Sequence, residues 1–208
     1  VPVSSTGHMI KVEHFIKLSE SRAFVDAVQI IIQLGAILSV VVYFWHKLWP
    51  FSKDKEKNIE IWRMWIKIAV AVLPAVVLGL LFNDVIETMF FNPLTVSIML
   101  VFYGIILIII ESSKKMKVKT HTIKEVSFKT AILIGLFQCL AMIPGTSRSA
   151  ATIIGGVLLG LERVLATEFS FFLAIPTMFG ATFLTIVKSG MNFTGYEWFL
   201  IALGFVLA

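Results

Sequence analysis

Two short stretches of the 208-residue sequence concentrate the side chains able to move protons or hold an anion. The first is Pro2-Val3-Ser4-Ser5-Thr6-Gly7-His8, the second Pro144-Gly145-Thr146-Ser147-Arg148-Ser149-Ala150-Ala151-Thr152. In the second, Arg148 carries a planar fork of donors matched to phosphate or carboxylate. Pro144-Gly145 stops one helix, and Thr146 or Ser147 can cap the next. A helix start next to an arginine exposes unpaired N–H groups, a ready site for an anion. Ser147 and Ser149 add hydroxyls, and Thr152 lies one helical turn beyond Arg148 on the same face. A structural Arg148 that only satisfies backbone carbonyls is the plainer alternative. In the first stretch, Ser5 and His8 are three apart and can face one point on a helix. A serine beside a histidine is the minimum for an activated hydroxyl nucleophile. Ser4 and Thr6 are further hydroxyl donors, or simple helix caps.

Composition sets where this chemistry must happen. Hydrophobic residues make up 58% of the sequence and charged ones 15%, with mean hydropathy +0.91. A soluble globule of this size needs more polar surface, so an integral membrane protein is expected and soluble, disordered and fibrous classes are excluded. The single cysteine, Cys139, rules out a disulfide framework or a multi-cysteine metal site, and reads as a small packing residue. The chain opens at Val1 without an initiator Met and stops inside an apolar run, so both ends are expected to be cuts through a longer protein.

Spans of about 20 apolar residues are needed to cross a bilayer. Phe24–Trp45, Met64–Phe82, Leu94–Ile110 and Val164–Val187 qualify, and Trp198–Ala208 begins another. Lys67 is expected to snorkel from the end of its span. Of the 18 Lys and Arg, six lie in 46–67 and six in 112–129, whereas loop 83–93 has only Asp84 and Glu87. The positive-inside rule puts both basic segments in the cytoplasm. The +5 net charge is then a matter of topology, and no nucleic-acid partner is implied. Residues 130–161, as one helix, would be about 48 Å long. Two half-helices, 130–143 and 150–161, folding back as a re-entrant hairpin fit better, with their tip near the bilayer middle.

The two stretches repeat one pattern: Pro, any residue, Ser or Thr, Ser. Pro2 precedes Gly35-Ala36 by 33 residues, and Pro144 precedes Gly180-Ala181 by 36. With the topology above, the first hairpin opens outside and the second inside. The expected fold is an all-α polytopic membrane bundle with two re-entrant helical hairpins in an inverted-topology repeat. It forms one transmembrane domain over 1–208, with repeats at about 1–110 and 129–208. Gln29, Gln33 and Gln138 read as interhelical hydrogen bonders, Asp26 and Glu168 as helix-start carboxylates, and His14, His46 and His121 as solvated.

Together the two stretches closely resemble the two signature motifs of the undecaprenyl-diphosphate phosphatase family, the bacterial membrane family associated with bacitracin resistance. Gln33-Leu34-Gly35 and Glu168-Phe169-Ser170-Phe171 are similar to that family's intervening segments, so the likeness runs through the whole chain. The resemblance implies hydrolysis of undecaprenyl diphosphate to the monophosphate, the lipid carrier for cell-wall sugars, in the bacterial plasma membrane. It implies Ser5, His8 and Arg148 as catalytic residues. It places Ser147, Arg148 and Thr152 at positions implicated in phosphate binding, and the hydroxyls of Ser4, Thr6 and Ser149 are expected to join them there. A divalent cation, Mg²⁺ or Ca²⁺, is expected with it. The family's glutamate-rich motif precedes the first Pro-Val-Ser-Ser, so the metal-binding carboxylates are expected before Val1 and none within the chain. Expected partners are the polyprenyl diphosphate and membrane lipids, with homo-oligomerisation open. Inverted repeats also serve transporters, so a polyprenyl-phosphate flippase or anion carrier is the alternative. A non-catalytic lipid-binding scaffold is a third reading.

Overall fold

The computed structural model describes residues 22–90, 93–112, 118–189 and 193–208. All the regular structure among them is helical, apart from one isolated bridge between Thr120 and Leu161. We label the helices α1 (Arg22–Tyr43), α2 (Trp45–Leu48), α3 (Lys55–Phe90), α4 (Pro93–Ser112), α5 (Phe128–Cys139), α6 (Arg148–Leu158), α7 (Arg163–Ser189) and α8 (Gly195–Leu207). A single 3₁₀ turn, Leu140–Met142, follows α5. The expected spans Met64–Phe82, Leu94–Ile110 and Val164–Val187 lie within α3, α4 and α7, Phe24–Trp45 overlaps α1, which ends at Tyr43, and the span beginning at Trp198 overlaps α8. α3 and α7 are long and apolar enough to cross a membrane.

The helices sort into two compact units. In the smaller, α1 packs on α8 around Phe24, Val28 and Ile201. A Cβ on Gly35 would meet the Phe205 carbonyl oxygen at 2.5 Å, and one on Gly204 would meet Ile32, so small residues let these helices approach closely.

The larger unit, Pro50–Leu173, holds α3 to α6 and the first part of α7. Its outer faces are apolar and exposed: Leu73, Val77, Leu80 and Leu81 on α3, and Leu94, Ile98, Val101, Ile105 and Ile108 on α4. Leu80 and Leu94 are both 71% exposed, the pattern of helices whose solvent is lipid. Inside, the chain from 128 to 158 folds back on itself as a helical hairpin. Ser127 caps α5 by accepting from the Thr130 amide at 3.0 Å. The break expected at Pro144-Gly145 is present, with α5 ending at Cys139 and α6 starting at Arg148. The mouth of the hairpin is stitched shut. The Lys119 and Thr120 amides donate to the Gly160 carbonyl at 2.8 and 3.1 Å, and the Glu162 amide donates to the Thr120 carbonyl at 2.9 Å.

α5 lies along α3, and α6 along α4. A Cβ on Gly135 would sit 2.0 Å from the Ala71 carbonyl oxygen, so α5 and α3 touch backbone to backbone. Tyr103 of α4 packs on Ala150, Ala151 and Ile154 of α6, flanked by Met99, Ile106 and Leu107. We expect Gly135→Ala to lower thermal stability by about 3 kcal/mol or more through overpacking. Gly104→Ala, which meets nothing within 4 Å, should gain about 0.5–1 kcal/mol from helix propensity. Unfolding curves of the two variants in detergent check the contrast.

One end of this unit gathers the basic segments. Lys67 is buried, not snorkelling. It donates to the carbonyls of Ile123 and Lys124 at 3.3 and 2.9 Å, tying α3 to the loop before α5. Lys124 pairs with Glu60, and Arg163 donates to the Ile110 carbonyl at 3.4 Å. His121 is exposed but pairs with Glu162 at 3.2 Å. The His121 amide donates to Glu125, which holds that carboxyl below its usual range. The start of α3, the end of α4, the loop at 118–127 and the start of α7 therefore share one level.

Candidate functional site

The tip of the hairpin lies at the other end of α4. Gly145 has φ +90°, and a Cβ there would stand 2.6 Å from the carbonyl oxygen of Val96 and 2.7 Å from its Cα. Only glycine supplies both the left-handed backbone and the missing volume. From Ile110, at the level of the mouth, to Val96 is fourteen residues of α4, about 21 Å at 1.5 Å each. α3 gives a similar depth. Lys67 meets the loop at the mouth and Gly79 meets Met142, twelve residues or about 18 Å further along.

At the tip, Ser147 is the N-cap of α6 and accepts from the Ala150 amide at 3.3 Å. The Ala151 amide is spent on the Ser147 carbonyl at 2.9 Å. The Thr146 amide donates to Ile143 at 3.1 Å. That leaves the amides of Ser147, Arg148 and Ser149 without an acceptor among the described residues, as expected at a helix start. The Ser147 oxygen accepts from an amide, and the Ser149 hydroxyl lies beside it at 3.1 Å. Of the Ser147 and Ser149 hydroxyl protons one serves the bond between them and the other can be donated outward. Arg148 keeps part of its surface open, yet its Nη1 is sealed from solvent and has no hydrogen-bond partner among the described residues. The Thr146 hydroxyl is likewise buried and unsatisfied. Tyr103 is close enough to interact with it but not in bonding geometry. A buried, unpaired guanidinium nitrogen is costly and calls for an anion. Amides, hydroxyls and Arg148 together make a donor-rich cradle that suits a phosphate.

Of the residues expected in the site, Ser147, Arg148, Ser149 and Thr152 come together on the first turns of α6. Ser4, Ser5, Thr6 and His8 lie outside the described residues. Thr152 is buried, and its hydroxyl faces its own helix and α7. It reaches the carbonyls of Arg148 and Ser149 at 3.0 and 3.2 Å, and the Ser170 hydroxyl at 2.5 Å. Thr146 was expected only as a possible cap, Ser170 only as part of a family-like segment, and Tyr103 not at all; Tyr103 and Ser170 are joined to the tip only by folding.

The donor set does not fit a metal. Among the described residues no three His, Cys, Asp or Glu side chains gather in a way that could hold an ion. Arg148 is also the wrong neighbour for a cation. Cys139 packs in α5, its thiol donating to the Gly135 carbonyl at 3.3 Å. Gln138 is buried in the same helix.

A sequence model of the family described as bacitracin resistance protein BacA matches residues 1–208. Undecaprenyl-diphosphatase 1 of Clostridioides difficile is 52% identical over all of this chain and 76% of its own length. The undecaprenyl-diphosphatase of Fusobacterium nucleatum is 54% identical, over the whole chain and 80% of its own length. The undecaprenyl-diphosphatase of Enterococcus faecalis is 46% identical, over the whole chain and 77% of its own.

Proposed function

The chain belongs to the bacitracin resistance protein BacA family, and on that premise we propose that it hydrolyses undecaprenyl diphosphate to undecaprenyl phosphate and inorganic phosphate. The observation that carries the reading is the cradle at the start of α6, where, among the described residues, Arg148 Nη1 is buried without a partner beside three unspent amides. Such donors stabilise charge as it shifts onto phosphoryl oxygens in the transition state. In this reading Arg148, Ser147 and Ser149 hold the terminal phosphate. Ser5 attacks its phosphorus while His8 takes the Ser5 proton. The anhydride P–O bond breaks, and undecaprenyl phosphate leaves with its oxygen negative. Water then attacks the phosphoseryl ester, freeing phosphate and restoring Ser5. His8 as the direct nucleophile, or as base for a water, gives the same products. No step is routed through a divalent cation, because the described residues offer it no ligands.

The membrane setting follows the same proposal. Exposed apolar faces on α3 and α4 meet lipid, and the prenyl tail lies along such a face. The hairpin α5–α6 is read as re-entrant, since both its legs begin and end at the stitched level of Lys119–Glu162. Residues 2–5 are read as the tip of its inverted counterpart. Both basic segments face the cytoplasm of a bacterial plasma membrane. A tip about 21 Å from the basic end then lies beyond the middle of the bilayer, toward the outer face, where the site opens.

The test is phosphate release from farnesyl or undecaprenyl diphosphate by the full-length protein in detergent with Mg²⁺. Wild type should release phosphate, and His8→Ala should lose about a hundredfold or more, the scale of general-base catalysis. An inactive wild type defeats the hydrolase reading, and lipid movement without phosphate release would favour a carrier. Orientation has a separate test. In a Cys139→Ala background, cysteines replacing Lys55 and Lys119 should react with an impermeant thiol reagent only from the cytoplasmic side. A cysteine replacing Asp84 should react only from outside. Labelling of all three from one side overturns the orientation.

A further inference from the structure

We propose that Ser170, through Thr152, is a positioning residue for Arg148. This inference rests on the phosphatase reading. Thr152 is 2% exposed and Ser170 4%, so neither hydroxyl can turn to water. Their oxygens are 2.5 Å apart, joining the second turn of α6 to α7. The proton count fixes the direction of the bonds. Thr152 has one hydroxyl proton and lies within reach of two carbonyls, those of Arg148 and Ser149, which can only accept. If Thr152 donates to them, Ser170 must donate to Thr152, and both protons are used. If Thr152 donated to Ser170 instead, the Ser170 proton would be buried with no acceptor among the described residues, at a cost.

The chain of donation therefore runs from the Ser170 hydroxyl to the Thr152 oxygen, and from the Thr152 hydroxyl to the backbone of Arg148 and Ser149. This leaves Thr152 no proton to offer a phosphate, and a phosphate dianion has none to give it. The pair acts on the substrate only by fixing the backbone from which the Arg148 side chain springs. Close packing supports the same contact: a Cβ on Gly156, one turn further, would stand 3.0 Å from the Ala166 Cβ, so α6 and α7 are already as near as side chains permit. A hydroxyl pair in that seam is a register pin.

The test is a double-mutant cycle in the full-length enzyme. kcat and KM for farnesyl diphosphate are measured for Ser170→Ala, Thr152→Val and Arg148→Lys, and for each of the first two combined with Arg148→Lys. Ser170→Ala and Thr152→Val should each lower kcat/KM about tenfold, mostly in kcat, the scale of one buried hydrogen bond. In the Arg148→Lys background the same changes should cost less than about twofold, because the group they position is already altered. Thr152→Ser, which keeps the hydroxyl, should return to within about threefold of wild type. Wild-type kcat/KM in Ser170→Ala overturns the proposal. So does an undiminished tenfold loss in the Arg148→Lys background, which would mark a merely structural role. Should Ser170→Ala fail to accumulate in folded form, Ser170→Cys and Thr152→Val carry the same cycle. An inactive wild type counts against the phosphatase reading, whereas the inference is judged on the ratios among active variants.

Discussion

Arg148→Ala should lower kcat/KM for diphosphate hydrolysis about a thousandfold, at the upper end of what one preorganised donor contributes. The same variant should melt no earlier than wild type. Its guanidinium Nη1 is buried with no partner among the described residues, so removing it is expected to relieve a cost of desolvation. Loss of activity with stability kept or raised is the signature of a group held ready for a ligand. A structural arginine would show the reverse, a lower melting temperature together with the lost turnover. Arg148→Lys keeps the charge but not the fork, and should recover about tenfold over alanine, since charge alone stabilises part of the transition state. Phosphate release and thermal unfolding, measured on the same preparations, decide the matter. Activity of Arg148→Ala within tenfold of wild type would remove it from the site.

Gly145→Ala should be the most damaging change of one methyl group. The left-handed backbone at φ +90° costs an L-residue about 1–2 kcal/mol. The added Cβ would also collide with the Val96 backbone, which has no flexible end to move aside, adding about 1–3 kcal/mol. The tip can escape only by lifting away from α4, and Thr146, Ser147 and Arg148 would lift with it. Stability should fall by about 2–5 kcal/mol on those two contributions, and the remaining folded protein should hydrolyse substrate at least tenfold more slowly, in line with misplaced catalytic groups. Unfolding curves and specific activity per folded molecule test both halves. An alanine variant with wild-type stability would mean that the tip does not sit against Val96.

The break in the hairpin could be read from the sequence because its causes are local. Pro144 cannot continue a helix and Gly145 can turn left-handed. Ser147 is a cap by chemistry, so the half-helices were placed to within a few residues. They extend to 128–139 and 148–158, where the sequence suggested 130–143 and 150–161. The end of α5 is earlier because the chain tightens into a 3₁₀ turn before the proline. Apolar spans were legible for the same reason, as runs along the chain. What could not be read depends on partners distant in sequence. Lys67 looked like a residue at the end of a span that should reach for water. It turns inward because two loop carbonyls, 56 and 57 residues away, are brought beneath it. Thr152 looked like a phosphate ligand by its spacing from Arg148. In the structure its hydroxyl reaches its own helix and Ser170, and no local rule reveals a neighbour 18 residues on. The backbone contact of Gly135 with Ala71 is of the same kind.

The shortness of α5 and α6 constrains how the protein can be made. They have 12 and 11 residues, about 18 and 17 Å of helix, and neither reaches across a hydrocarbon layer of about 30 Å. A translocon that sorts segments by length and hydropathy therefore has no stable crossing to offer either one. Residues 143–147 also carry peptide groups with no helical partners, which lipid will not accept. The ribosome delivers α3 and α4 first, and these supply the wall, Ala71 on one side and Val96 on the other, against which the bare turn can be sheltered. α7 emerges last of this group and brings Ser170. On the re-entrant reading proposed above, biogenesis is ordered by the chain itself: α3 and α4 stand first, the hairpin enters beside them, and the pin arrives after it. On that reading Arg148 enters the bilayer late, as cargo of a segment that could not have inserted alone.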